Sequence, residues 1–252
     1  MAKPSVLCEK RGASVYITLN CPESGNAIGK AMAAELGNIW ADFNSDNDAR
    51  VAVLGANGKH FCAGINVKEL VAGWHGEGIT LAYPGLGVEV EKPIIAAING
   101  YCGGAGLVLA MQCDIRLASQ NTQFVYPESM VGISLGVGAD LTKYMPMGIA
   151  MEVLLTGQPI SAQRAYEIGF VSRVTSDGEV MAEASKMAEV ISQNAPLVLK
   201  LLKTLAYKDT YSAHRQGEIV RYRLLDPIIN SEDAREGITA FTEKRKPRFK
   251  GR

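Results

Sequence analysis

Charge of one sign is missing from this 252-residue chain: Lys and Arg total 26, Asp and Glu total 26, and the formal net charge is zero. Without a global field, neither nucleic acid nor a membrane surface is favoured as a partner. Long hydrophobic runs are missing too. No stretch approaches the roughly 18 uninterrupted apolar residues of a membrane span, and Met1-Ala2-Lys3-Pro4 opens no apolar signal segment. The five cysteines (Cys8, Cys21, Cys62, Cys102, Cys113) are odd in number and at no metal-like spacing. That speaks against a disulfide framework or a zinc site and for the reduced thiols of a cytoplasmic protein. No ligand cluster for a metal or redox cofactor stands out, and there is neither a low-complexity linker nor a clean short repeat.

What is present is an ordinary globular balance, 47% hydrophobic and 21% charged, arranged in alternating patterns. Val6–Glu9 and Val15–Asn20 read as a hairpin pair, and Lys30–Asn44 has apolar residues at helical spacing. Val51–Gly55 and Ile94–Ile98 are the short apolar runs of parallel strands covered on both faces. A helix start is read at Lys68–Ala72, a mobile loop at His75–Pro84 and a strand at Ile115–Ala118. The second half is mostly helical, at Ala150–Leu155, Ala162–Ile168, Glu179–Asn194, Leu197–Ala206 and Gln216–Leu225, broken by a strand-like Phe170–Val174. The expected organisation is an α/β core over residues 1–195, with a largely parallel sheet and crossover helices, and a helical region over 196–252.

Three local features bear on chemistry. After the Ile94–Ile98 strand comes Asn99-Gly100-Tyr101-Cys102-Gly103-Gly104-Ala105-Gly106, running into an apolar helix. Glycines allow close backbone approach, and a helix start leaves N–H groups unpaired, so such a turn can hold an oxygen that becomes anionic. Phe61-Cys62-Ala63-Gly64-Ile65-Asn66, after the Val51–Gly55 strand, offers a second free N–H near Ile65. Two such amides converging on one carbonyl oxygen would form an oxyanion hole. Third, Glu128 in Phe124-Val125-Tyr126-Pro127-Glu128 sits in an apolar stretch, where a carboxyl pKa rises and suits proton transfer near neutrality. The plainer alternatives are a close helix–strand crossing, two ordinary helix starts and an ion-paired surface glutamate.

Other patterns compete. Gly132-Ile133-Ser134-Leu135-Gly136 matches a nucleophile elbow and motivates a serine hydrolase as the rival enzyme class, although only His214 follows Ser134. His60 reads as surface, while His75, in its glycine-rich loop, remains open as a pocket group. Tyr83 and Tyr101 are candidate pocket hydroxyls for which core packing is the simpler account, and Asp140 is a weaker second carboxylate. The basic tail from Glu243 to Arg252 reads as a solvated face.

Taken together, these segments resemble the crotonase family, the enoyl-CoA hydratase/isomerase superfamily, over nearly the whole length. The landmarks are Asn26-Ala27, Phe61-Cys62-Ala63-Gly64-Ile65, Pro93–Gly100, Cys113–Ala118, Leu155-Thr156-Gly157, Ala165–Gly169, and Glu236-Gly237 with Phe241–Arg245. The resemblance implies an α/β spiral of ββα units with a helical C-terminal region that drives trimerisation. It also implies an acyl-CoA thioester substrate, coenzyme A entering only as part of that substrate, and a homotrimer or homohexamer. Ile65 and Ala105 then fall on the oxyanion amides and Glu128 on a catalytic carboxylate. Asn26, Ala27, Ala63, Gly64, Tyr101, Gly104 and His75 fall on the substrate-binding positions, with Phe241 and Lys244 toward the nucleotide end.

Two departures matter. Ala105 stands where the family usually has glycine, and Val108 stands where its hydratases carry the first of two glutamates. Valine moves no proton, so the resemblance favours isomerases, which pair one glutamate with an apolar residue there. Alternatives are hydration or dehydration with another polar group beside Glu128, a decarboxylating or carbon–carbon bond-forming reaction, and an inactive acyl-CoA-binding protein.

Overall fold

The computed structural model describes residues 3–133, 136–207 and 230–248. Val6–Arg11 (β1) and Ser14–Leu19 (β2) form an antiparallel hairpin turned by Gly12 at φ +60°. β1 buries only Val6 and so forms an edge, whereas β2 buries Val15, Ile17 and Leu19. From β2 the sheet continues in parallel through Val51–Ala56 (β3), Ile94–Ile98 (β4), Ile115–Ser119 (β6) and Arg173–Thr175 (β9), in the order β1-β2-β3-β4-β6-β9.

The unbroken apolar character of the inner strands follows from cover on both faces. Ala52, Leu54, Ile94, Ala96 and Ile98 point into the main core. Their neighbours Val51, Val53, Ile95 and Ala97, with Leu117, face the other way onto Val180, Ala184 and Ala188 of Val180–Ser192 (α7). On the main-core side, Lys30–Ser45 (α1) lays down Met32, Leu36, Trp40 and Phe43, one stripe at helical spacing. A second sheet of Tyr101–Gly103 (β5), Gln123–Val125 (β7) and Ile160–Ser161 (β8) has order β5-β7-β8. β5 and β7 immediately precede the two segments of chemical interest.

The remaining helices are Val67–Val71 (α2), Ala105–Met111 (α3), Glu128–Val131 (α4), Met147–Thr156 (α5), Ala162–Glu167 (α6), residues 196–207 (α8) and Glu232–Thr242 (α9). Ser161 caps α6 by accepting the Arg164 N–H, and Ser231 caps α9 by accepting that of Ala234. α9 packs on α4. Gly237 makes this approach feasible, because a Cβ there would collide with the Val131 carbonyl.

Two expectations shift in detail. Of the strand-like Phe170–Val174, only Arg173 and Val174 pair with β6, and the strand extends one residue further to Thr175. Phe170 and Val171 are buried, but the Phe170 carbonyl accepts the Arg116 Nε–H at 2.7 Å in place of a ladder bond. The His75–Pro84 loop contains a 3-10 turn, Ile79–Ala82, and buries Ile79, Ala82 and Tyr83. The Gln216–Leu225 helix lies outside the described residues, as do Ser134, Leu135 and His214.

Candidate active site

The loop after β3 is aimed by its neighbours. Ile65 forms a parallel bridge with Ile28, in which Ile28 N–H donates to Gly64 O and Asn66 N–H to Ile28 O, both at 2.8 Å. Successive residues of an extended chain turn their amides to opposite sides. Gly64 and Asn66 face Ile28, so the Ile65 N–H faces away from it. Asn66 then caps α2, its Oδ1 accepting from Lys68 and Glu69, while its Nδ2 donates to Glu69 Oε1. Glu69 Oε2 in turn accepts the Lys30 N–H, tying the turn to α1.

The glycine-rich turn runs alongside this loop. Cys62 and Cys102 form a bridge, with Cys62 N–H donating to Tyr101 O and Gly103 N–H to Cys62 O. Gly104 adopts φ +50°, ψ −119°, a backbone suited to glycine, and Ala105 begins α3. Neither the Ile65 nor the Ala105 N–H has a hydrogen-bond partner among the described residues. A Cβ added at Gly64, itself at φ +118°, would stand 3.4 Å from Gly103 O and 3.8 Å from Ala105 N. The two turns are thus in contact, and the glycines are what permit it.

Glu128 completes the group. It opens α4 directly after Pro127, and a Cβ added at Gly104 would stand 3.3 Å from its Oε1 and 3.7 Å from Gly64 Cα. Glu128 Oε2 is sealed without a partner. Burial pushes this carboxyl up to about 8, against smaller downward pulls from its own backbone amide and from the Tyr126 side chain. The Tyr126 hydroxyl accepts the Gly138 N–H at 3.0 Å, and a side chain at Gly138 would collide with the tyrosine ring. In the sequence Tyr126 stands out only as part of the segment leading to Glu128. Its position two residues before the glutamate, across a proline, is the signal that could have marked it. Val108 is buried on α3 and shares the main core with Ala105, Tyr83 and Tyr126.

The other sequence candidates separate into groups. Tyr101 is half-buried; its ring lies against Gly103 and meets the His60 ring edge-on, while its N–H donates to His60 Nδ1. Burial first, and then the nearby Glu128, raise its phenol. Asn26 is fully buried at φ +56°, its Oδ1 accepting from Cys21 N–H and its Nδ2 donating to the carbonyls of Asn57 and His60. It organises the turn that carries half-buried Ala27 and, through Gly25 O, receives the Ala63 N–H. Ala63 itself is exposed. His75 is exposed, its N–H donating to Glu77 Oε2. Asp140 is buried and paired with Lys143 at 3.1 Å. Phe241 is 56% exposed on α9, and Lys244 follows that helix in a left-handed conformation at φ +55°. In the tail, Arg245 is gripped by Glu236 and Glu243.

Two unpaired amides beside one raised-pKa carboxyl can polarise a carbonyl and move a proton at the adjoining carbon. Among the described residues no helix is long and apolar enough to cross a membrane, and no cluster of three or more His, Cys, Asp and Glu suits a metal ion.

Known proteins resemble this chain along its length. The sequence profile described as enoyl-CoA hydratase/isomerase matches residues 9–252. An (E)-benzylidenesuccinyl-CoA hydratase from Thauera aromatica is 37% identical over 243 residues, covering 94% of this chain and 95% of that protein. A carnitinyl-CoA dehydratase from Proteus mirabilis is 36% identical over 261 residues, covering 96% and 97%. In three dimensions the chain is similar to a carnitinyl-CoA hydratase from Mycobacterium avium, with a TM-score of 0.92, 31% identity and full coverage of both chains. The α/β fold read from the sequence is the crotonase fold, and the chain belongs to the enoyl-CoA hydratase/isomerase family.

Proposed function

We propose that this protein acts on acyl-CoA thioesters by forming and reprotonating an enolate, with Glu128 as its one catalytic carboxylate. The Ile65 and Ala105 amides hold the thioester oxygen as it gains charge. Ala105 keeps the N–H that glycine would supply, and its methyl narrows the site. Elsewhere the loss of one such donor costs about 3 kcal/mol, so the amides matter as much as the base. The observation that carries the reading is the Glu128 carboxylate set against Gly104, beside two amides without a hydrogen-bond partner among the described residues.

A lone carboxylate suffices to take a proton from C2 or C4 and return it at the other carbon, so double-bond isomerisation is the reaction that this residue set performs unaided. Hydration and dehydration form the second reading, supported by the names of relatives sharing 36–37% of their residues with this chain. Incubating a saturated acyl-CoA in heavy water tests the common step. Exchange at C2 should occur and should fall at least a hundredfold in Glu128→Gln. No exchange in the unmodified protein would leave only a binding function. Offering 3-enoyl-CoA and 2-enoyl-CoA separately then divides isomerase from hydratase.

The same reading extends to assembly and to the nucleotide. Leu197, Leu201, Leu202 and Leu205 of α8 are all more than half exposed, an apolar patch suited to contact between copies of the chain in a trimer or hexamer. Phe241, exposed on α9, and Lys244 just after it would meet the nucleotide end of coenzyme A bound at a neighbouring copy.

A further inference from the structure

Residues 196–207 (α8) form a helix that is set inside out. Its two charged side chains are fastened to the body of the chain. Lys200 pairs with Glu91. Lys203, its side chain 15% exposed, donates to Asp114 Oδ2 at 2.9 Å and to the Lys92 carbonyl at 2.8 Å. The leucines face out instead. Leu197, Leu201 and Leu205 make one row at i, i+4 and i+8, Val198 and Leu202 make a second beside it, and all five are more than half exposed. A surface helix ordinarily keeps its charges in water and its leucines inward. Here the ion pairs fix the rotation, so the two rows and the groove between them are held open to an apolar partner.

A second apolar face lies on α5. Met147, Met151 and Leu155 form a single row with the same spacing, exposed while Ala150 and Val153 are buried. Each row spans about 12 Å of helix, so the α5 ridge matches the α8 groove in length. Neither brings a charge to the contact, since Glu152, the one charged residue of α5, lies outside the row. The α5 face continues onto α4. Gly157, which ends α5, makes room for Met130, because a Cβ there would stand 2.5 Å from Met130 Sδ. Met130 is itself exposed and lies two residues from Glu128. Within one chain the turn that carries the carboxylate is held by α9 and α5, and its Met130 side is bare.

We propose that α8 of a second copy of this chain lies along α5 and Met130, and that the turn bearing Glu128 is fully held only when it does. A ring of three closes through a heterologous contact, in which two different faces meet, whereas a face that pairs with itself gives a two-fold dimer. One chain offers two unlike faces, a groove and a ridge, as such a ring requires. This rests on the three-fold assembly proposed above, and adds which faces meet and what their contact does for the base.

Paired cysteines test the contact, in a Cys8→Ser background because Cys8 is the exposed native thiol. Met151→Cys and Leu201→Cys in one chain, treated with a short bismaleimide, should give a covalent trimer on a denaturing gel, and either substitution alone should give none. A covalent dimer from one substitution alone means that its face pairs with itself and overturns the proposal. So does a double variant that links only within its own chain or not at all. Catalysis is read with S-butyryl-pantetheine, which lacks the nucleotide and so is blind to any contact that a neighbouring copy makes there. Met147→Glu with Met151→Glu should lower the solution mass to that of the monomer and slow C2 exchange at least tenfold. Leu201→Glu with Leu205→Glu should do both from the opposite side of the contact, which separates the effect from damage local to α5. A monomer that exchanges as fast as the assembled protein overturns the proposal, as does slowed exchange at an unchanged mass. Absence of exchange from the unmodified protein would instead overturn the enolate reading, and the crosslink would still decide which faces meet.

Discussion

Glu128 carries a carboxyl whose protonation sets both rate and stability. As the base it must be ionised, so kcat/KM should climb with pH and level off above about 8, the position to which burial moves this group. Stability should run the opposite way. The folded pKa lies above the ordinary 4.5, so the unfolded chain ionises first. The fold therefore loses about 1.4 kcal/mol per pH unit between those two values and nothing further beyond them. Glu128→Gln should accordingly melt higher than the unmodified protein at pH 9, by up to a few kcal/mol, and level with it at pH 4. An offset that ignores pH would show that buried charge is not the cause. At this scale the two turns and the helix start at Glu128 were legible because glycine and proline mark where backbone approaches closely or a helix begins, whereas Ile65 and Ala105 as the particular amides came from the family resemblance. In the sequence Tyr83 reads as a candidate pocket hydroxyl for which core packing is the simpler account, and the structure buries it.

Among the elements, α4 is the weakest in its own right, a single turn from Glu128 to Val131. One turn has little intrinsic stability, so its position derives from what packs on it. α9 does so through Gly237, whose missing side chain makes room for the Val131 carbonyl. Gly237→Ala should lower stability by roughly 1–3 kcal/mol through overpacking. It should also reduce C2 exchange more than it weakens acyl-CoA binding, because the amides at 65 and 105 belong to other elements. Denaturant melts and exchange rates on one preparation would show this; equal losses in both would contradict it. Strands were easy to read where both faces are covered, as in Val51–Ala56 and Ile94–Ile98. Phe170 and Val171 misled because an apolar pair is compatible with a strand or with burial under a side chain. The Arg116 guanidinium, distant in sequence, decided between them.

For the whole molecule, α8 presents Leu197 at 80% exposure and Leu205 at 54%. A solution mass that is a multiple of three times 27.0 kDa is expected. Leu201→Glu with Leu205→Glu should shift it toward the monomer in analytical ultracentrifugation; an unmodified protein already monomeric would remove the assembly proposal. The α/β class was plain from alternating strand and helix patterns, but the closing of α9 onto α4 was not, because that contact depends on a glycine whose role appears only when the two helices meet. It also bears on biosynthesis. Both amides and the carboxylate have been made by residue 128 and α5 reaches α4 by residue 156, yet the second support of that turn arrives only with residues 232–242. A polypeptide halted before residue 232 would carry its carboxylate on a turn held by α5 alone.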